Sequence, residues 1–435
     1  MNIPFTKHTL GNGLDVLVHE DHGCPIVAVS VWYHVGSKNE RPGRTGFAHL
    51  FEHLMFEGSQ HYDRGYFHPL QEAGASLNGS TNADRTNYWE VAPTSALELA
   101  LWMESDRMGY LLPALTTAKF ENQRDVVLNE RRQNYENRPY GLAGMAIVSA
   151  LFPPDHPYHW LTIGEAADLH AARLEQVKAF FQTYYRPRNA SLALAGDVDT
   201  ARAIALAEQY FGEIESGEPP PPVDAAPPPP LASEIRMLLE DRVELPRLYL
   251  AWHSPALFAG GDAELDLVAE LLASGKTSRL YRALVYDQRL ATEVAASQNS
   301  RELGSFFQVV ATAAPGRTLA ELERAITREI ATLVDKGPTE TEMERCLAQA
   351  EAHFIYRLQT VGGFGGKSDQ LNAYNVFRND PAYFERDLAR YRNATAGALQ
   401  QMAGRYLRSA RAVLSVVPRG RLALALPGSQ PVAVS

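Results

Sequence analysis

Apolar positions along this chain fall into two rhythms. CPIVAVSVWYHV, from Cys24, and SFFQVVATA, from Ser305, are short runs rich in β-branched and aromatic residues, and they predict strands. LERAITREIATLVDKG, from Leu322, spaces its apolar residues by three and four and predicts a helix stopped at Gly337 and Pro338. Thr339 and Glu342 then form a capping box for the next helix. One segment stands apart. GFAHLFEHLMFEGS, from Gly46, is apolar or small except for His49, Glu52 and His53 until Glu57 is reached. It predicts a buried helix from about Gly46 to Gly58.

A single break divides the pattern. Residues 217–230 read GEPPPPVDAAPPPP, a segment poor in backbone donors that favours extended polyproline II and acts as a semi-rigid spacer. The expected organisation is a domain over residues 1–216, a Pro-rich linker over 217–233 and a second domain over 234–435. The halves are faintly alike. Glu20, Asp21, Pro25 and Trp32 line up, with single-residue shifts, with Glu240, Asp241, Pro246 and Trp252. Each half closes on an amphipathic helix and a hydrophobic strand: LEQVKAFFQTYYRPRNASLALAGD from Leu174, and LQQMAGRYLRSARAVLSVVPRG from Leu399. This order points to a duplication. Mixed strands and long helices in each half predict α+β domains, each a mostly antiparallel sheet packed with helices.

Composition narrows the function. Of 435 residues, 45% are hydrophobic and 21% charged, as in a globular protein with sizeable cores. The net charge of −10 leaves no basic excess to neutralise phosphates, which argues against a nucleic-acid partner. No apolar run reaches the length of a membrane span. The two cysteines, Cys24 and Cys346, give no disulfide framework. The start, MNIPFTKHTLGNGLDV, lacks a signal-peptide core. The expected compartment is cytoplasmic if that N-terminus is native, and periplasmic or organellar if a targeting segment was removed.

The polar trio carries the chemistry. On a helix, His53 lies about 40° from His49 and Glu52 about 60° to the other side, so all three share one face. Burying polar groups without partners costs roughly 2–7 kcal/mol each. A divalent cation held by two neutral imidazoles compensates them together, and two His plus one carboxylate with an open fourth position is a catalytic zinc arrangement. The expected cofactor is one Zn2+ per chain. Glu130, in the helix-like FENQRDVVLNERRQNYENRP, is a candidate third ligand, although spacing alone does not choose it among many acidic residues.

At this point the sequence resembles the pitrilysin, insulin-degrading enzyme and mitochondrial processing peptidase family, the inverzincins. HLFEH matches the family's HxxEH, and Glu130 stands 77 positions after His53, where the family places its third ligand. ASLNGSTNADRTNYWEV, from Ala75, is similar to the strand-turn-strand that follows the zinc helix. YYRPRNASLALAGDVD, from Tyr184, is similar to the domain-closing motif. The resemblance implies peptide-bond hydrolysis, with Glu52 as general base and His49, His53 and Glu130 as metal ligands. It also implies substrate binding by strand addition near Leu77, Asn78, Gly79 and Ser80, a mode that draws affinity from main-chain hydrogen bonds.

Two departures from the family matter. Gln123 stands where relatives often carry a second Glu, seven residues before the third ligand, and is expected to bond a ligand histidine from outside. Val285 and Thr292 stand where self-sufficient relatives carry an Arg and a Tyr that bind substrate carbonyls, with Arg282 and Tyr286 nearby at the wrong spacing. The resemblance therefore implies a zinc-bearing endopeptidase subunit completed by a homologous sister chain that supplies the pair. A homodimer and a non-catalytic scaffold subunit are the alternatives. Gly275-Lys276-Thr277 and Gly366-Lys367-Ser368 fail as phosphate loops, because Glu270 and Val361 occupy the position of the motif's first glycine.

Overall fold

The structure, a computed structural model, describes residues 2–223 and 225–434. Twelve strands among these residues form two six-stranded sheets. The first sheet contains β1 (Thr6–Thr9), β2 (Asp15–Glu20), β3 (Ile26–Tyr33), β4 (Ser76–Thr81), β5 (Thr86–Pro93) and β6 (Ala190–Gly196). Their order is β1-β2-β6-β3-β5-β4, parallel only between β2 and β6. The second contains β7 (Ile235–Asp241), β8 (Arg247–Ser254), β9 (Ala291–Asn299), β10 (Ser305–Ala313), β11 (Ala412–Pro418) and β12 (Gln430–Pro431). Its order is β12-β7-β11-β8-β10-β9, with β7 parallel to both β11 and β12.

The run β2-β6-β3-β5-β4 thus repeats as β7-β11-β8-β10-β9. The elements that suggested a duplication occupy matching places. Trp32 is on β3 and Trp252 on β8, while the closing strands are β6 and β11. The run SFFQVVATA is β10, and the helix expected after it spans Leu319–Lys336 and ends at Gly337. The Thr339 capping box is formed, with Thr339 N–H donating to Glu342 at 2.8 Å and Glu342 N–H to Thr339 Oγ1 at 3.3 Å.

The chain folds into two compact units that are not the two sequence halves. One comprises Met1–Glu130, Leu161–Asp224 and His353–Arg386; the other comprises Arg131–Trp160, Ala225–Ala352 and Asp387–Ser435. The boundaries expected at 216 and 234 therefore miss two exchanged segments. Helix Ala143–Leu151 is apolar nearly all round and packs on β8 and β11 in the second unit. Helix Lys367–Arg378 packs on β2, β3 and β6 in the first. It does so through polar groups: Asn372 donates to Ser30 O at 2.9 Å, and Asn375 donates to Ser191 Oγ and to Asp15, each at 2.9 Å.

Cover on both faces explains why β3 and β6 are buried almost throughout instead of alternating. Apart from position 224, which lies outside the described residues, the expected linker 217–233 carries no helix or strand.

One face of the first sheet holds the site. Tyr33 and Tyr88 project from β3 and β5 into an aromatic cluster with Tyr185, Phe51 and Phe181. Beside it lies a buried charge cluster. Arg107 donates to Glu104, lies 3.5 Å from Glu90, and stacks 3.9 Å from the Tyr66 ring and 4.2 Å from the Tyr88 ring.

Candidate metal centre

The HLFEH segment lies in a short helix, Phe47–Leu54. Phe47, Ala48, Leu50, Phe51 and Leu54 are buried, and His49, Glu52 and His53 share the half-buried face. The helix stops earlier than Gly58. Phe56 and Glu57 N–H bond the carbonyls of His53 and Leu54, tightening the last turn, and Gly58 adopts φ 105°.

The start of this helix is fixed from outside. Gly46 has φ 85°, and the Glu40 carboxylate accepts the N–H groups of Gly46 at 2.9 Å and Ala48 at 2.8 Å. Thr45 donates through its N–H and hydroxyl to Asp168, and accepts from Glu165 N–H. A negative group satisfying the first N–H donors also suits the positive end of the helix dipole.

Glu130 arrives on the next-to-last position of helix Thr117–Arg131. Its Oε2 lies 3.6 Å from His49 Nε2 and 3.3 Å from His53 Nε2, and the two imidazole rings are 4.9 Å apart and perpendicular. Among the described residues this is the one group of three or more His, Cys, Asp or Glu side chains converging closely enough to hold a metal ion. A tetrahedral zinc bound at about 2.0–2.1 Å needs ligand atoms roughly 3.3 Å apart, so the residues present fit it. Burial first and nearby His53 second, against the opposing Glu130 charge, bring the His49 pKa down to about 4, which leaves the imidazole neutral and able to ligate. Burial pushes the Glu52 carboxyl above its ordinary value, against the influence of the Thr81 hydroxyl, His53 and Arg85.

The expected peptide-binding residues lie on β4, an edge strand with a neighbour on one side only. Gly79 is the tightest of them. A Cβ there would stand 2.9 Å from the Tyr88 ring and 3.2 Å from the Phe56 ring, so a side chain is excluded. Its N–H is taken by the Asn78 side chain at 2.8 Å. Leu77 and Ser80 are half-buried and Asn78 is exposed.

One expected contact is absent. Gln123 donates its amide to Glu57 and not to a ligand histidine. Glu57, three residues after the HLFEH helix, accepts that amide. The Gln123 oxygen takes no N–H from His49 or His53, and His49 Nδ1 has no hydrogen-bond partner among the described residues. Glu40, Arg85 and Asp369 were missed in the sequence altogether. The lone signal for Glu40 was an acidic residue shortly before a glycine-started helix.

Residues 15–153 match the family described as "Insulinase (Peptidase family M16)", and residues 171–350 match "Peptidase M16 inactive domain". The chain belongs to the M16 peptidase family. This M16 chain is 29% identical over 364 residues to a Helicobacter pylori protein named zinc protease PqqE, across 82% of this chain and 81% of that one. It is 28% identical over 211 residues to the mitochondrial-processing peptidase subunit beta of Caenorhabditis elegans, across 48% of this chain and 45% of that protein. A crystal structure of a protease from Helicobacter pylori matches it with TM-score 0.88 at 25% identity, covering 96% of this chain and all of the other.

The second unit of this M16 family member carries no HxxEH. Val285 lies in the π-helical turn Tyr281–Asp287, and Thr292 lies on edge strand β9. Arg282 and Tyr286 project outward, with the Tyr286 residue 75% exposed. The lysines of the rejected phosphate loops behave accordingly where contacts are formed: Lys367 is paired with Asp21 at 2.7 Å.

Proposed function

We propose that this chain is the zinc-bearing subunit of an endopeptidase that hydrolyses peptides or unfolded segments. The observation that carries the reading is the convergence of Glu130 on both HLFEH imidazoles, with Glu52 on the same helix face. His49, His53 and Glu130 would hold the ion. Bound there, zinc acidifies a water molecule and polarises the scissile carbonyl.

The rest is done by this chain's own groups. Glu52, its carboxyl raised by burial, takes a proton from the attacking water and delivers it to the leaving amine. The open edge of β4, at Leu77, Asn78, Gly79 and Ser80, aligns the peptide as an added strand. Main-chain pairing tolerates varied side chains, which favours loose sequence selectivity.

Val285 and Thr292 offer neither a cation nor a phenol for the developing oxyanion. A homologous partner chain supplying an Arg and a Tyr completes the site in this reading. The scaffold alternative gives no chemical reason to keep Glu52, which is not a ligand.

The test is hydrolysis of a quenched fluorescent peptide by the zinc-loaded chain, alone and with a co-purified homologous chain. Turnover that rises strongly with the second chain is expected. Full turnover by the single chain would remove the need for a partner.

A further inference from the structure

A strand that takes up substrate along its edge must be held firmly from behind. At the β4–β5 hairpin, Asn82 N–H donates to Arg85 O at 3.0 Å. Bonded pairs alternate along an antiparallel ladder, so Ser80, paired with Asn87, turns its N–H and C=O toward β5. Gly79 and Thr81 then turn theirs to the open edge.

Ser80 is the anchored residue. Arg85 Nη1 donates to Ser80 O at 2.8 Å and to Ser80 Oγ at 2.7 Å. Ser80 Oγ donates to Asn87 Oδ1 at 2.7 Å. Asn87 bonds one carboxylate directly, and the Arg85 charge faces the same carboxylate across Trp32. Asp369 Oδ1 accepts from Asn87 Nδ2 at 3.0 Å and from Trp32 Nε1 at 2.8 Å, and the Arg85 guanidinium lies over the Trp32 ring at 5.0 Å.

Asp369 comes from the segment exchanged into this unit, on the first turn of helix Lys367–Arg378. Its Oδ2 accepts Gly365 N–H at 2.7 Å. The preceding GGFGG lies directly on the sheet: a Cβ at Gly362 would stand 2.4 Å from Ala28 Cβ and 2.7 Å from Val91 Cγ2. The glycines therefore let the backbone approach closely enough for Asp369 to reach β3 and β5. Trp32 and Asn87, with the Asp369 carboxylate they hold, lie on the face of the sheet opposite the HLFEH helix, whereas the Arg85 charge also acts on Glu52.

We propose that Asp369, acting through Arg85 and Asn87, is a positioning residue for substrate: it fixes the line of β4 along which the peptide pairs. The proposal rests on the peptidase reading for its consequence, but not for its structural readout. A loosened edge strand weakens ground state and transition state alike, which raises KM and spares kcat.

The experiment compares Asp369→Asn, Arg85→Met and Arg85→Lys with the parent, each zinc-loaded and assayed with any partner chain the parent requires. Amide exchange across 76–81 is expected to accelerate about tenfold or more in Asp369→Asn and Arg85→Met, with zinc content unchanged. In Asp369→Asn, KM is expected to rise by about fivefold or more with kcat within about twofold, and Arg85→Lys is expected to recover part of the exchange protection and KM lost in Arg85→Met. Unchanged exchange at 76–81 would overturn the proposal, as would protection lost equally over the zinc-site helix or kcat falling at constant KM in Asp369→Asn. If the parent cleaves no peptide, the peptidase reading fails, and the exchange data still decide whether Asp369 holds β4.

Discussion

Glu40 Oε1 accepts the backbone N–H of Ala48 at 2.8 Å, so the residue preceding the first HLFEH imidazole is pinned by a carboxylate eight positions earlier. The other oxygen holds Gly46 N–H. Charge-assisted bonds to helix N-terminal donors contribute about 1–2 kcal/mol. Glu40→Ala is therefore expected to lower stability by about that amount and to weaken zinc binding, since His49 and His53 would no longer be preorganised. Denaturant titration and competition with a zinc chelator measure the two effects.

Gly164 meets the same turn. With φ 73°, its Cβ position lies 2.5 Å from the Gly46 backbone, so Gly164→Ala must push the loop away from the helix start. A loss of about 1–3 kcal/mol is expected, read by thermal melting, with zinc affinity reduced in parallel.

Arg107 balances two buried carboxylates. Glu90 and Glu104 are both within its reach, Tyr66 donates to Glu90 at 2.9 Å, and all four side chains are almost fully buried. Burial, with Glu104 beside it, pushes the Glu90 carboxyl well above its ordinary range. Arg107→Met leaves these acids without their cation. Removing one partner of a buried ionic group costs about 3–5 kcal/mol, and equilibrium unfolding in urea is expected to register it.

A second buried acid makes stability depend on pH. Asp266 accepts from the Tyr391 hydroxyl at 2.7 Å, within a group containing Asp262, Asp387 and Arg390. Burial, helped by Asp262 and Asp387 and opposed by Tyr391 and Arg390, raises its pKa from 3.8 to about 7. Between those values the folded state binds more protons than the unfolded state, so this contribution to stability falls as pH rises through the window. Asp266→Asn is expected to flatten the decline in melting temperature between about pH 4 and pH 7. An undiminished slope would place the titration elsewhere.

Local pattern carried much of the fold. The run SFFQVVATA became β10 and the Thr339 box formed, because short-range propensity and tertiary packing agree there. The shared face of His49, Glu52 and His53 was legible for a related reason: helical spacing alone puts the three side chains on one side of Phe47–Leu54. Glu130 needed the resemblance, since nothing in its local sequence separates it from neighbouring acids. The exchanged segments were not legible. Helix Lys367–Arg378 buries Gln370, Asn372 and Asn375 against a sheet more than 170 residues away in sequence, so its polar face reads as solvated. Gln123 was misread because its partner, Glu57, lies beyond the motif.

The measurement that bears most directly on the account is zinc content and peptide turnover of Glu52→Gln beside the parent. Glu52 is placed as the proton-transfer group and not as a ligand. The variant is expected to keep one zinc per chain and to lose turnover by about 10²–10⁴-fold. Loss of zinc together with turnover would make Glu52 a structural or ligating residue, and undiminished turnover with zinc retained would remove it from the chemistry.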